Sequence, residues 1–155
     1  MLISDLLGPE LIRCDVHAGS KKRLLEMISE QLATSSDEFT QREIFESLNA
    51  RERLGSTGLG HGVAIPHGKL PKLGRLFGLF ARLERPIDFE ALDGQPVDLI
   101  FLLLAPEAAG ADHLKALARV ARLFREPGMA GKLRASTDKS ALYSVLTEGA
   151  TPDAA

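Results

Sequence analysis

The chain of 155 residues carries a formal net charge of −2 and a single cysteine, Cys14. This length predicts one domain with a sizeable core, and the near-neutral charge without a basic cluster argues against nucleic acid as a partner. A lone cysteine excludes a disulfide framework or a cysteine metal cage within the chain.

No segment indicates export or membrane insertion. The longest apolar run, residues 99–105, is far shorter than the roughly 20 residues that span a bilayer. Asp5 lies early in an N-terminus that lacks the apolar stretch of a signal peptide. We therefore expect a protein of the reducing cytoplasm.

The first third of the chain predicts one strand and two helices. Residues 11–16 alternate between apolar and polar side chains, as a half-buried strand does. Ser20 can cap a helix that runs to about residue 33. A Thr-x-x-Glu capping box at residues 40–43 starts a second helix, which Gly55 ends at the C-cap. Arg51 falls in the last turn of this helix, at the mouth of the glycine-rich stretch that follows.

Three strands are predicted next, at residues 63–65, 75–83 and 97–105. The last of them is apolar almost throughout, so we expect it to be buried on both faces. A strand of this kind requires cover on both sides of the sheet, which favours helices packed on each face.

Two longer helices are predicted at residues 111–124 and at about 138–146, and His113 lies in the first turn of the former. The residues of that helix expected to face inward are Leu114, Leu117, Val120 and Phe124. The order of strands and helices predicts a single α/β domain over residues 1–148, with a frayed tail at 149–155.

The most informative stretch, residues 51–70, reads RERLGSTGLGHGVAIPHGKL. Pro66 fixes its own φ and biases the residue before it towards an extended conformation. The backbone before His67 is therefore rigid, and His67 lies at the end of a strand. Gly68 has no side chain, so it leaves the side chain of His67 unobstructed. Active sites of α/β folds lie beyond strand ends, and the predicted elements place both His67 and His113 at such positions.

The glycines match neither common nucleotide-binding motif. The interval from Gly62 to Gly68 is one residue too long for a phosphate-binding loop, and the residues after Gly62 break the dinucleotide pattern. A metal site shared by His61 and His67 lacks a nearby acidic ligand, and a hydrolase based on Ser56 lacks the Gly-x-Ser-x-Gly motif. We expect no metal and no cofactor. The residues alone leave open whether His67 is functional or a buried strand histidine.

The same stretch resembles the phosphorylation-site signature of enzyme IIA proteins of the bacterial phosphotransferase system, fructose/mannitol class. The most specific matches are residues 55–58 (GSTG) and 64–68 (AIPHG), and the continuation at 69–70 (KL) favours the nitrogen-regulatory IIA branch. His61 stands where a small polar residue such as Asn is usual in that branch. The resemblance covers nearly the whole chain, with further matches at 20–23 (SKKR), 95–99 (QPVDL) and 113–114 (HL).

The resemblance implies a mixed β-sheet of about five strands with helices on both faces. It also implies a phosphoryl-carrier function. The phosphoacceptor of the family maps onto His67, its second active-site histidine onto His113 and its active-site arginine onto Arg51. The family suggests Nε2 as the phosphorylated nitrogen. The phosphoryl donor would be a histidine-containing phosphocarrier protein, and Gly68 could offer its backbone amide to the transferred group.

Three functions remain open on the sequence. The first is a regulatory protein that binds target proteins according to its phosphorylation state. The second is a sugar-specific IIA that passes phosphate to a permease IIB, and the third is a small-molecule binding module with a structural His67. For the first, we expect an apolar rim around His67 to dock partners in the unphosphorylated state. The residues that could form this rim are Leu59, Val63, Ile65 and Leu70.

Overall fold

The computed structural model describes residues 1–148. The described helices are α1 (Ile3–Leu6), α2 (Lys21–Ala33), α3 (Gln41–Arg53), α4 (Ala111–Arg125), α5 (Met129–Ala135) and α6 (Lys139–Thr147), with short 3-10 turns at Pro9–Leu11 and Glu107–Ala109. The described strands are β1 (Ile12–Val16), β2 (Gly58–Gly60), β3 (Val63–Ala64), β4 (His67–Leu70), β5 (Phe77–Ile87) and β6 (Val97–Pro106). The predicted tail at 149–155 lies outside the described residues.

The six strands form one mixed sheet in the order β1-β5-β6-β3-β2, and β4 also pairs with β6. The β1–β5, β3–β6 and β4–β6 pairs are parallel, whereas β5–β6 and β2–β3 are antiparallel. The predicted mixed α/β architecture with helices on both faces is confirmed. The sixth strand arises because the chain resumes pairing with β6 after Pro66, in line with β3.

Strand β6 runs through the centre of the core. All residues from Leu99 to Ala105 are fully buried, as their uniform apolarity predicts. On one side of the sheet, Phe124 of α4 contacts the rings of Phe80 and Phe101, with centroid distances of 6.5 Å and 6.4 Å. Helices α2 and α3 pack against each other and against β5 and β4, and α4, α5 and α6 pack in succession.

The helix starts follow the capping signals in the sequence. The Ser20 hydroxyl accepts a hydrogen bond from the Arg23 amide, which satisfies a free donor in the first turn of α2. The Thr40 hydroxyl accepts from the Glu43 amide, and the Glu43 carboxylate accepts from the Thr40 amide, so the predicted capping box starts α3. Helix α3 ends one residue earlier than predicted, with Leu54 at the C-cap.

Two sequence-based expectations about burial and strand bounds are wrong. Leu114 was expected to face inward but is 68% exposed, because the buried face of α4 follows His113, Ala116 and Val120, and Leu114 is turned away from it. The strand predicted at 75–83 runs over Phe77–Ile87, past a shift in its register with β6.

Candidate functional site

His67 is the first residue of β4, held directly after Pro66 where the chain resumes pairing with β6. The sequence placed it after the end of a strand; the structure places it at the start of the next one. Its Nδ1 lies 2.8 Å from the carbonyl oxygen of Ile65. A carbonyl can only accept, so Nδ1 carries the proton and donates it, which leaves Nε2 of the neutral ring unprotonated.

The surroundings of His67 favour the neutral ring. Burial lowers its pKa below the ordinary value of 6.5, and the nearby cation of Arg51 lowers it further. The hydrogen bond to Ile65 and the carboxylate of Glu52 act in the opposite direction. The net pKa is lowered, so the ring is a neutral nucleophile at neutral pH.

His113 lies beside His67, although 46 positions separate them in sequence (113 − 67). The centroids of the two rings are 5.6 Å apart, at an interplanar angle of 52°. His113 is buried, and its Nδ1 has no hydrogen-bond partner among the described residues. Burial lowers its pKa, and the charges of His67 and Lys69 act in the same direction. The first turn of α4 therefore delivers a second neutral imidazole to the site.

Arg51, in the last turn of α3, lines the same cleft as His67, which is described below. Its Nη1 donates to the carbonyl oxygen of Gly55 at 2.9 Å, and within residues 1–148 it forms no ion pair with a carboxylate. A guanidinium held only by a carbonyl keeps further donors available for an anion. The structure thus brings together His67, His113 and Arg51, the three residues that the sequence singled out.

The cleft beside His67 has a volume of about 370 Å³ and is open to solvent. Its lining residues are Arg51, Ser56, Thr57, Gly58, Leu59, Ile65, His67, Leu92, Leu117 and Ala121. Leu59 is half-exposed at the cleft and Leu92 almost fully exposed.

Most of the apolar rim expected from the sequence is not on the surface. Val63, Ile65 and Leu70 are buried, and of the expected set only Leu59 is exposed. The three residues are buried because they belong to, or directly follow, the strands that pack against the core. Leu92, from the loop between β5 and β6, borders the cleft and was not expected from the sequence.

Gly68 has a packing role that the sequence motif around His67 did not reveal. A Cβ at this position would collide with the hydroxyl of Ser47 on α3, and it would also lie 3.1 Å from the Ser47 Cβ. The same hydroxyl donates to the carbonyl oxygen of Lys69 at 3.2 Å. Glycine is therefore required for the close approach of α3 to β4, while contact of its amide with a phosphoryl group stays a prediction.

A buried carboxylate, to which the sequence pattern assigned no role, contacts Thr57 of the cleft lining. Glu52 is buried in the last turn of α3, where it pairs with Lys21 of α2 at 2.9 Å. Its two oxygens also accept from the amide and the hydroxyl of Thr57. An acidic residue at the negative end of a helix dipole is unfavourable, and this anomaly is the sequence signal that could have indicated a special role.

His61 lies in the turn between β2 and β3 and is not among the residues that line the cleft of His67. Its φ is 56°, a left-handed conformation, and its amide donates to Asp93 at 2.9 Å. Hydrogen bonds from His61 and from Gln95 lower the pKa of the Asp93 carboxyl. Within residues 1–148, no group of three or more His, Cys, Asp or Glu side chains could hold a metal ion.

Comparisons with known proteins identify the family of this chain. The model of the family described as "Phosphoenolpyruvate-dependent sugar phosphotransferase system, EIIA 2" matches residues 5–149. The chain belongs to this EIIA type-2 family. The resemblance seen in the phosphorylation-site signature is thereby confirmed.

The nitrogen-regulatory branch of the family is confirmed as well. The chain is 61% identical over 149 residues to the nitrogen regulatory protein of Bradyrhizobium diazoefficiens, covering 94% of this chain and 95% of that protein. It is 44% identical over 155 residues to the nitrogen regulatory protein of Escherichia coli K12, covering 99% and 94%. The crystal structure of nitrogen regulatory protein IIA-Ntr from Neisseria meningitidis superposes with a TM-score of 0.87 at 41% identity, covering 94% of this chain and 99% of that one.

In the described part of this EIIA protein, no helix is long and apolar enough to cross a membrane.

Proposed function

We propose that this EIIA protein is a regulatory phosphoryl carrier that accepts a phosphoryl group on Nε2 of His67 from a histidine-containing phosphocarrier protein. The observation that carries the proposal is the hydrogen bond from His67 Nδ1 to Ile65, because it fixes the tautomer in which Nε2 keeps a free lone pair for attack on phosphorus. The names of the relatives at 44–61% identity support a role in nitrogen regulation. We propose a cytoplasmic location for the reaction.

The transfer proceeds by attack of the Nε2 lone pair of His67 on the phosphorus atom of the phosphorylated carrier. The new N–P bond forms as the bond to the carrier's imidazole breaks, and that imidazole recovers the electron pair. The His67 Nδ1 proton stays in its hydrogen bond to Ile65. This transfer between two imidazoles requires no redox partner and no metal ion.

Phosphoryl transfer depends mainly on positioning and on stabilising the charge of the transferred oxygens. Arg51 supplies the cation at the cleft, and the His113 ring, 5.6 Å from that of His67, is close enough to contact a group on Nε2. A third donor is proposed in the amide of Gly68. The phosphorylated imidazole then carries about two negative charges, by analogy with phosphoserine.

The charge on phosphorylated His67 would control whether target proteins bind. Target proteins would dock on the apolar rim of the cleft, which includes Leu59 and Leu92. About two new negative charges inside such an interface are costly to desolvate unless the partner supplies matching cations. The unphosphorylated protein is therefore the target-binding state. Equal affinity of a target for both forms would instead favour the sugar-specific alternative, in which the protein passes phosphate to a permease IIB.

The proposal is tested by incubating the protein with phosphoenolpyruvate and the general phosphotransferase proteins, followed by intact-mass measurement. We expect one phosphoryl group that is lost in acid, as a phosphorus–nitrogen bond is. His67→Ala should gain none, whereas His17→Ala, at an exposed histidine paired with Glu84, should behave as the wild type. Phosphorylation of His67→Ala by the carrier would overturn the assignment.

A further inference from the structure

The buried carboxylate of Glu52 is in an unfavourable place for its charge. Its side chain is 3% exposed, and it lies in the last turn of α3, where the helix dipole is negative. Its ion pair with Lys21, whose side chain is 15% exposed, desolvates both charges. Such pairs are commonly no more stabilising than an apolar pair of similar volume. A structural role alone therefore does not explain why a carboxylate occupies this position.

Hydrogen bonds link Glu52 to Thr57, Thr57 to Ile65 and Ile65 to His67. The Thr57 amide donates to the Glu52 carboxylate at 3.0 Å, and the Thr57 hydroxyl donates to its other oxygen. The carbonyl oxygen of Thr57 accepts from the Ile65 amide at 3.1 Å. The carbonyl oxygen of Ile65 in turn accepts from His67 Nδ1 at 2.8 Å. The path passes through the whole residues Thr57 and Ile65, because the amide and the carbonyl of each belong to two peptide units that share its Cα.

We propose that Glu52 is a positioning residue for His67, which it orients through Thr57 and Ile65. By holding Thr57 with two hydrogen bonds, the carboxylate fixes the Ile65 carbonyl that keeps the proton on His67 Nδ1, and so reserves Nε2 for phosphorus. Lys21 contacts the carboxylate at 2.9 Å and holds it in place. This inference rests on the proposed role of His67 as the phosphoacceptor.

The charge of Glu52 acts on the site in a second way. It raises the pKa of His67, whereas the cation of Arg51 lowers it. Glu52 therefore offsets part of the effect that the phosphate-binding guanidinium has on the basicity of the nucleophile. Replacing Glu52 with a neutral glutamine would remove both this negative charge and one of the two oxygen atoms that accept hydrogen bonds.

The test compares Glu52→Gln with Glu90→Gln. Glu90 is the other carboxylate near Lys21, at 3.7 Å with an exposed side chain, and no hydrogen bond joins it to Thr57. Glutamine keeps the shape of Glu52 but presents an amide group to donors that need an acceptor. The readouts are the His67 tautomer, from the nitrogen-15 shifts of the imidazole, and the rate of phosphorylation by the carrier.

We expect the wild type and Glu90→Gln to hold the proton on His67 Nδ1. Glu52→Gln should show a mixture of tautomers and a rate reduced about 10- to 100-fold, as expected for a misplaced reacting group. If Glu52→Gln matches Glu90→Gln in both readouts, the inference is wrong. A lower melting temperature with an unchanged tautomer also overturns it, because that is the result of a purely structural role.

Thr57 provides a second variant that does not depend on the folding of Glu52→Gln. Thr57→Val removes the hydroxyl donor and keeps the amide donor, and we expect about a fivefold slower reaction, equivalent to one ordinary hydrogen bond. Thr57→Ser restores the hydroxyl and should restore the rate and the tautomer. Equal rates and tautomers for the valine and serine variants would contradict the inference even if Glu52→Gln fails to fold.

The two proposals fail in different ways. If the wild type is phosphorylated on His67 while Glu52→Gln is unaffected, only the positioning role falls. If the wild type gains no phosphoryl group on His67, the proposed function falls, whatever the tautomer of the ring.

Discussion

At the scale of single residues, His67 meets two requirements at once. A nucleophilic imidazole must be neutral, yet its transferred group needs cations nearby. Burial holds the pKa of His67 down, and the cation of Arg51 contributes in the same direction, so the cation that we propose binds the phosphoryl group also helps to keep the ring unprotonated. The hydrogen bond to Ile65 then selects which nitrogen is free.

The lowered pKa of His67 predicts the pH dependence of phosphorylation. The neutral ring is the reactive form, so the rate should stay constant around pH 7 and fall only when the pH drops through the pKa, which lies below 6.5. Arg51→Ala should raise this pKa, because it removes a cause of the lowering. A nitrogen-15 titration of His67 measures both values. A wild-type midpoint at or above 6.5 would contradict the prediction.

Arg51 is expected to stabilise the transferring group. Arg51→Ala should slow phosphorylation about tenfold to a thousandfold, the usual loss for one charge-stabilising donor. Arg53→Ala is the matched control, because Arg53 occupies the same last turn of α3 but is exposed and does not line the cleft. Single-turnover rates with the phosphorylated carrier give the comparison. Similar rates for both variants would remove Arg51 from the mechanism.

At the scale of elements, the site depends on how closely α3 approaches β4. Helix α3 carries Arg51 and Glu52, and β4 begins with His67, so their separation sets the geometry of the cleft. The two elements meet where Gly68 leaves room for Ser47. The glycine after the histidine therefore holds two functional elements at contact distance.

Gly68→Ala should push α3 away from β4. The added methyl group overpacks the contact with Ser47, and we expect a loss of about 1–3 kcal/mol in the free energy of unfolding. Adding Ser47→Ala should recover part of this loss, since it removes the atom nearest to the new Cβ. Denaturant unfolding of the two single variants and the double variant measures the coupling.

Gly131→Ala is the control for this experiment. Gly131 lies in α5, and a Cβ there would meet no atom within 4 Å, so stability should be unchanged or higher by up to about 1 kcal/mol. Strictly additive effects of Gly68→Ala and Ser47→Ala would show that the two residues do not compete for the same space.

At the scale of the whole molecule, two of the five large apolar side chains that are exposed within residues 1–148 border the cleft of His67. They are Leu59 and Leu92, from β2 and from the loop between β5 and β6. Exposed apolar groups that are contiguous mark docking surfaces more often than scattered ones do.

Charge placed on this surface should weaken docking of the phosphocarrier. We expect Leu92→Glu to raise the KM for the carrier about tenfold, the approximate value of one buried leucine, with little change in melting temperature. Ser144→Glu adds the same charge on α6, which contacts β1 at the opposite end of the sheet, and should leave the KM unchanged. Equal KM values for both variants would place docking elsewhere.

The sequence by itself determined the family and most of the longer helices and strands. Capping signals at Ser20 and Thr40 predicted where α2 and α3 begin, because such caps depend only on residues three positions apart. The uniform apolarity of β6 predicted its burial on both faces. The motif around His67 indicated the EIIA family, and with it the roles proposed for His113 and Arg51. The single domain over residues 1–148 stays a prediction.

Only the tertiary structure decided which groups meet. Hydrophobic periodicity gives the face of a helix only approximately, so it assigned Leu114 to the core when His113 occupies that face. It carries no information about neighbours distant in sequence, such as Ser47 against Gly68 or Lys21 against Glu52. Those contacts are fixed by the close packing of whole elements against one sheet, which no local pattern encodes.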